Sequence, residues 1–211
     1  MELVPAGPEA LLVDLDGLDT VAVVGDALRS ALDRGELPGV VDVVPAARTV
    51  LVTAPGAPGA LEGVRALLAG VDTTTGRARC EAGSVELPVI YDGEDLALVA
   101  RDAGWSTDDV VAAHTAAVLT VAFGGFAPGF AYLAGLPEAL RQPRLDTPRP
   151  RIPAGSVGVA GEFGGVYPRT SPGGWRLIGR LTPDAPTLFD PDRDPPALLV
   201  PGTTVRFRDA G

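Results

Sequence analysis

Glycine and proline fill 27 of the 82 positions from 124 to 205, against 20 of the first 123. A chain interrupted at every third residue cannot run a long helix. Proline removes a backbone donor, and glycine loses the most conformational freedom on ordering. This stretch must fold as short strands joined by many turns, as in a barrel or a sandwich. Charge changes at the same place. Residues 1–123 carry 19 acids and 7 arginines, a net −12, while residues 124–211 carry 8 acids and 10 arginines, a net +2.

Ahead of the break, strands alternate with helices. Residues 10–16 read as a strand and 19–35 as a helix, with Val23, Ala27 and Ala31 at helical spacing and Gly35 as its stop. Residues 40–44 and 49–53 read as strands about a turn at Pro45. Residues 59–70 read as a second helix with Leu61, Val64, Leu67 and Leu68 on one face, and 84–91 as a further strand. That order describes a two-layer α+β domain of about 80 residues. Residues 96–103 are helical, Gly104-Trp105 breaks them, and Ser106 or Thr107 caps the next helix. Asp108 and Asp109 then meet the positive end of its dipole. Residues 119–123 are extended again, and only a turn at 137–141 is helical beyond them. The expected fold class is α+β: residues 1–84 form a small two-layer N-terminal domain and residues 85–211 a β-rich C-terminal domain.

Composition closes several routes. All 17 basic residues are arginine, so neither a Schiff-base lysine nor a phosphate loop of the GxxxxGK[ST] type exists here. An acidic chain without basic runs is a poor nucleic-acid binder. No stretch approaches 18 uninterrupted apolar residues, so no membrane span is expected. The opening Met1-Glu2-Leu3-Val4-Pro5 lacks a basic region and an apolar signal core, which makes the cytoplasm the expected location. The lone Cys80 and the lone His114 support neither an intrachain disulfide nor a transition-metal site.

Four segments carry candidate chemistry. His114 falls four residues after Val110, on or beside the apolar face of its helix, open to a structural or a proton-transfer role. The run 124–133, GGFAPGFAYL, is either a sharply bent strand or a loop whose amides reach a ligand. Arg141, Arg144, Arg149 and Arg151 cluster among four prolines, as an anion site or as a solvated loop paired with acids. The run 153–161, PAGSVGVAG, suggests a closely approached backbone in which Ser156 caps, binds or packs; no base adjoins it in sequence.

The runs FAPGFAYLAGLPEAL, PRLDTPRPRIPAGSVGVAGEFGGVYPRTSPGGWRLIGR, LFDP and LLVPGTTVRFR, with DDVVAAHT before them, resemble one family. It is that of the bacterial 5-oxoprolinase B subunit, which also includes the sporulation-kinase inhibitor protein and allophanate hydrolase subunit 1. The likeness spans nearly the whole chain and is strongest over residues 85–207. It implies a small α+β N-terminal domain followed by a cyclophilin-like β-barrel. It also implies partners, the A subunit plus a C-subunit homologue, which together with this chain open 5-oxoproline to L-glutamate with ATP and Mg²⁺. Two alternatives come with it: a non-catalytic regulator that binds and inhibits a sensor histidine kinase, and a component that acts on a urea-like amide. The chain departs from the pattern at Gly124-Gly125, where members often have Leu-Gly. It departs again at Gly164, which stands where many have threonine.

Opening an unstrained lactam is slow because the amide is a poor electrophile. An activated ring needs cations and donors around it. On this reading Arg144, Arg149 and Arg151 bind the substrate carboxylate, amides near Gly155–Gly158, with Gly155 and Ser156 as binding residues, cradle an oxyanion, and His114 moves a proton. Nothing in the sequence assigns ATP to this chain, which alone should be inactive.

Overall fold

The computed structural model describes residues 1–73 and 83–211, and Cys80 lies outside the described residues. The chain divides into two compact units, residues 1–79 and 80–211.

In the first unit β1 (Glu2–Pro5), β2 (Ala10–Asp14), α1 (Leu18–Asp33), β3 (Asp42–Pro45), β4 (Thr49–Thr53) and α2 (Ala60–Ala69) follow in turn. The strands form one antiparallel sheet in the order β1-β2-β4-β3. Leu11 and Val13 lie opposite Val52 and Val50, and period-2 alternation turns all four inward, fully buried. They meet Val24 and Leu28 of α1 and Leu61, Val64 and Leu68 of α2. These helical residues recur every three or four positions, which is why the two helices lie on the sheet. Thr20 fastens the start of α1: its hydroxyl accepts from the Gly17 N–H at 3.2 Å and donates to the Gly17 carbonyl at 2.8 Å. Both edge strands end in proline, Pro5 and Pro45, which withholds a donor from any further strand.

The second unit runs through β5 (Ser84–Ile90), α3 (Leu96–Ala103), α4 (Thr107–Ala116), β6 (Leu119–Gly124) and β7 (Ala131–Ala134). It continues with β8 (Arg149–Ile152), β9 (Ser156–Ala160), β10 (Phe163–Val166), β11 (Ser171–Gly173), β12 (Arg176–Leu181) and β13 (Thr204–Asp209). Seven strands close a barrel in the order β10-β7-β6-β13-β5-β12-β9. Closure removes the exposed edges that such short strands would otherwise present. β13 lies parallel to β5 over six residue pairs, from Thr204–Ser84 to Asp209–Val89, and the other barrel pairings are antiparallel. Leu87, Leu119, Leu133, Val157, Ile178 and Val205 belong to its core. β8 and β11 pair as a separate ribbon.

The helices of this unit start and stop where their residues dictate. Gly104, at φ 71°, ends α3 in the left-handed region. Ser106 caps α4: its hydroxyl accepts from the Asp109 N–H at 3.1 Å, and the Asp109 carboxylate accepts from the Ser106 N–H at 3.0 Å. The Ser106 hydroxyl, 2.6 Å away, is the main reason the Asp109 carboxyl is held below its usual pKa. Beyond Ala116 the only helical turn among the described residues is a 3-10 turn at Glu138–Leu140. None of the helices described is long and apolar enough to cross a membrane.

Candidate functional site

Seven of the chain's eleven aromatic residues gather on one side of the barrel unit. β6 brings Phe123, β7 brings Tyr132 and β10 brings Phe163. Tyr167 directly follows β10, and Trp175 sits between β11 and β12. Phe126 and Phe130 come from the loop joining β6 to β7. The Phe130 ring meets Tyr132, Tyr167 and Trp175 edge to face, at centroid distances of 5.2, 5.4 and 5.3 Å. That geometry sets the positive edge of one ring on the negative face of the next. Gly165 makes the packing possible, since a methyl there would stand 3.0 Å from the Trp175 ring and 3.1 Å from Phe130.

A cleft of about 100 Å³ opens among these rings. Phe126, Phe130, Tyr132, Tyr167 and Trp175 wall it, with Gly173 and Gly174 at one side and Arg144 as its single charge. The Leu145 N–H donates to the Gly174 carbonyl at 2.8 Å, which holds the Arg144 loop against the wall. Among the described residues Arg144 forms no ion pair, so its guanidinium is available to an anion. The volume is well below the ~300–1,000 Å³ of pockets for cofactor-sized molecules, so the cleft suits a small ring.

Phe126 forms the lip. It is the one non-glycine residue described with positive φ, 65°, and its ring is 58% exposed. The Ala127 N–H donates to the Gly125 carbonyl at 2.7 Å, closing a three-residue turn around it. A bulky residue in that region costs roughly 1–3 kcal/mol, and such outliers gather where a ligand must be met. The Phe126 ring offsets part of that cost by meeting Phe130 and Tyr167.

The expected site residues are not brought together. Arg149 is committed elsewhere: its Nε donates to Glu94 at 3.2 Å and its Nη2 to Asp95 at 2.8 Å. Asp95, itself buried, also accepts from the Leu177 N–H at 2.7 Å. Arg149 therefore ties β8 to the segment that starts α3. Arg151 is exposed on β8 and is not part of the cleft lining. The oxyanion cradle at Gly155 and Ser156 needs correcting, because its amides already have partners. The Gly155 N–H donates to the Tyr167 carbonyl at 2.7 Å, and the Ser156 N–H to the Pro153 carbonyl at 3.4 Å. Ser156 itself is buried.

His114 needs a correction as well. It lies on the buried face of α4 beside Val110, with no exposed surface. Its ring stacks on Phe207 at 4.4 Å, its Nδ1 shares a 2.7 Å hydrogen bond with the Tyr91 hydroxyl, and its Nε2 has no partner among the described residues. Burial depresses its pKa to about 3. A neutral ring sealed in the core does not exchange protons with a substrate. At Gly164, a side chain would face Leu119 and Leu136 of the core at 3.6 Å, so the missing threonine takes nothing from the cleft.

A larger groove of about 570 Å³ runs beside α4. Asp108 and Asp209 are its charged lining, which disfavours an anionic ligand.

Phe126 lies in the run 124–133 offered by the sequence as a ligand loop, while Tyr167 is a functional candidate outside the four segments. The available signal was the crowding of aromatics between residues 123 and 175.

Comparison with known proteins matches residues 1–199 to the family described as carboxyltransferase domain, subdomain C and D. The 5-oxoprolinase B subunit of Escherichia coli O157:H7 is 40% identical over 206 residues, 95% of this chain and 92% of that protein. Among solved structures, that of TTHA0988 superposes with a TM-score of 0.79 at 39% identity, covering 96% of this chain and 40% of that one. The Kluyveromyces lactis urea amidolyase shares the fold, with a TM-score of 0.78 at 19% identity over 99% of this chain and 15% of its own. The chain belongs to the family described as carboxyltransferase domain, subdomain C and D, alongside relatives named as the 5-oxoprolinase B subunit.

Proposed function

We propose that this chain is the B subunit of an ATP-dependent 5-oxoprolinase, acting in the cytoplasm with the A subunit plus a C-subunit homologue to open 5-oxo-L-proline to L-glutamate. The observation that carries this reading is the 40% identity with the Escherichia coli 5-oxoprolinase B subunit over 92% of that protein. The barrel, in this reading of the cyclophilin-like type, contributes the cleft. The flat lactam ring lies between Phe126, Phe130 and Trp175, and its carboxylate meets the unpaired Arg144 fork. The aromatic walls keep water from the ring and strengthen the Arg144 contact.

The chain has no lysine, and among its described residues no three His, Cys, Asp or Glu side chains gather for a metal ion. This reading assigns ATP and Mg²⁺ to the assembled complex. The part of this chain is to bind and orient the ring.

The test is reconstitution. The chain mixed with the A and C subunits should elute as one complex and release L-glutamate from 5-oxoproline only with ATP and Mg²⁺, and the chain alone should do nothing. An inert three-component mixture, together with tight binding of this chain to a histidine kinase, would replace the reading by the regulator.

A further inference from the structure

Tyr167 is held in the cleft wall through both of its main-chain groups. Its N–H donates to the Ser156 carbonyl at 2.9 Å, and its carbonyl accepts from the Gly155 N–H at 2.7 Å. Both main-chain groups are thereby held by the glycine–serine run, which serves as a clamp for this tyrosine. The ring is buried, with Phe126 and Phe130 against it at 89° and 71°. The hydroxyl sits beside Gly173 at the cleft: a methyl on Gly173 would stand 2.6 Å from the oxygen. Only glycine fits there, because the hydroxyl and Ile152 already occupy the space a side chain would need, and the phenol stays in the cleft lining.

The chemistry of that hydroxyl is set by its surroundings. Burial raises its pKa, and the neighbouring Trp175 N–H and the charges of Arg144 and Arg149 offset only part of the rise. It stays a phenol at neutral pH and acts as a donor. The Trp175 backbone N–H favours the oxygen as an acceptor, which leaves the phenolic proton for a ligand acceptor. The cleft thus has two polar ends, a cation at Arg144 and a neutral donor at Tyr167, with aromatic walls between them.

We propose that Tyr167 donates a hydrogen bond to the carbonyl oxygen of the ring bound in this cleft, and so selects cyclic amide acids over saturated cyclic acids. The inference rests on the cleft being the substrate site. The bond draws electron density from the carbonyl carbon and makes it a better electrophile, with no proton leaving the tyrosine. Tyr132, the other phenol of the lining, lies flat on Phe123 at 4.4 Å and serves as wall.

The experiment uses the complex of the full chain with the A and C subunits. Steady-state kinetics on 5-oxoproline are compared with inhibition by cyclopentanecarboxylate, which keeps the ring size and carboxylate but lacks the carbonyl. Tyr167→Phe keeps the ring and its packing. It should lower kcat/KM by about tenfold or more, the loss expected for one buried hydrogen bond. Inhibition by the analogue should stay within about twofold of wild type, and Tyr132→Phe should leave the ratio of the two ligands unchanged. Equal weakening of both ligands by Tyr167→Phe, no effect on either, or a selective loss in Tyr132→Phe would each overturn the inference while the substrate reading stands. A wild-type complex that makes no glutamate overturns the substrate reading and the inference with it.

Discussion

Acidification from pH 7 to pH 5 should remove about 2 kcal/mol of folding stability through His114 alone. The ring is fully buried with a folded pKa near 3, against an unfolded value of 6.5. Below pH 6.5 the unfolded chain binds a proton that the folded chain refuses, so stability falls as pH falls. It keeps falling until the folded pKa is reached. At pH 5 the gap is 1.5 pH units below the unfolded value, and each unit is about 1.4 kcal/mol. Carboxylates held low in the fold, Asp102 by Arg176 and Asp109 by Ser106, act in the same sense but in a lower window. Their contribution is present above an unfolded pKa of about 4 and is lost only below it. The interval from pH 7 to 5 therefore isolates the single histidine. Urea unfolding at pH 7, 6 and 5 should show this slope in the wild type and a flat profile in His114→Gln, whose amide still meets the Tyr91 hydroxyl. Histidine proton NMR is unambiguous with one histidine in the chain. Parallel slopes for the two proteins, or a ring titrating near pH 6.5, would refute the burial argument.

The two arginines of one loop should separate cleanly. Arg144→Ala should raise KM for 5-oxoproline about tenfold with little change in Tm. Arg149→Ala strands the buried Asp95 carboxylate and should cost about 3 kcal/mol in urea unfolding while KM per folded complex holds. Arg193 donates to the carbonyls of Thr187, Leu188, Pro195 and Pro196. Arg193→Ala should cost about 2 kcal/mol and speed hydrogen exchange at Asp190 and Leu198, whose amides close that loop. Gly173→Ala places a methyl 2.6 Å from the Tyr167 hydroxyl and 2.9 Å from Ile152. It should cost about 1–3 kcal/mol and abolish quenching of Trp175 fluorescence by 5-oxoproline.

Local pattern determined where elements begin and end. The strand at 49–53 and the helix at 96–103 match the structure end to end, and the other expected elements lie within two or three residues of those observed. Spacing of apolar residues, the Ser106 cap and the Gly104 stop act within one helical turn, so the sequence displays them directly. Glycine and proline density likewise dictated short strands after residue 124. Partner choice is a different matter, because it is made across the fold. Arg144 and Arg149 look alike in the chain, yet Glu94 and Asp95, 55 and 54 residues before Arg149, claim one and leave the other free. His114 is neutral because the distant Phe207 and Tyr91 close over it, which no property of its own helix announces. Gly155 and Ser156 read as ligand contacts because small residues permit close approach, but which backbone approaches was settled only when β9 met Tyr167. Pattern along the chain thus determined the elements and their composition. Contacts between residues far apart in sequence decided which side chains stand free in the cleft, since burial and electrostatic pairing depend on distance in space.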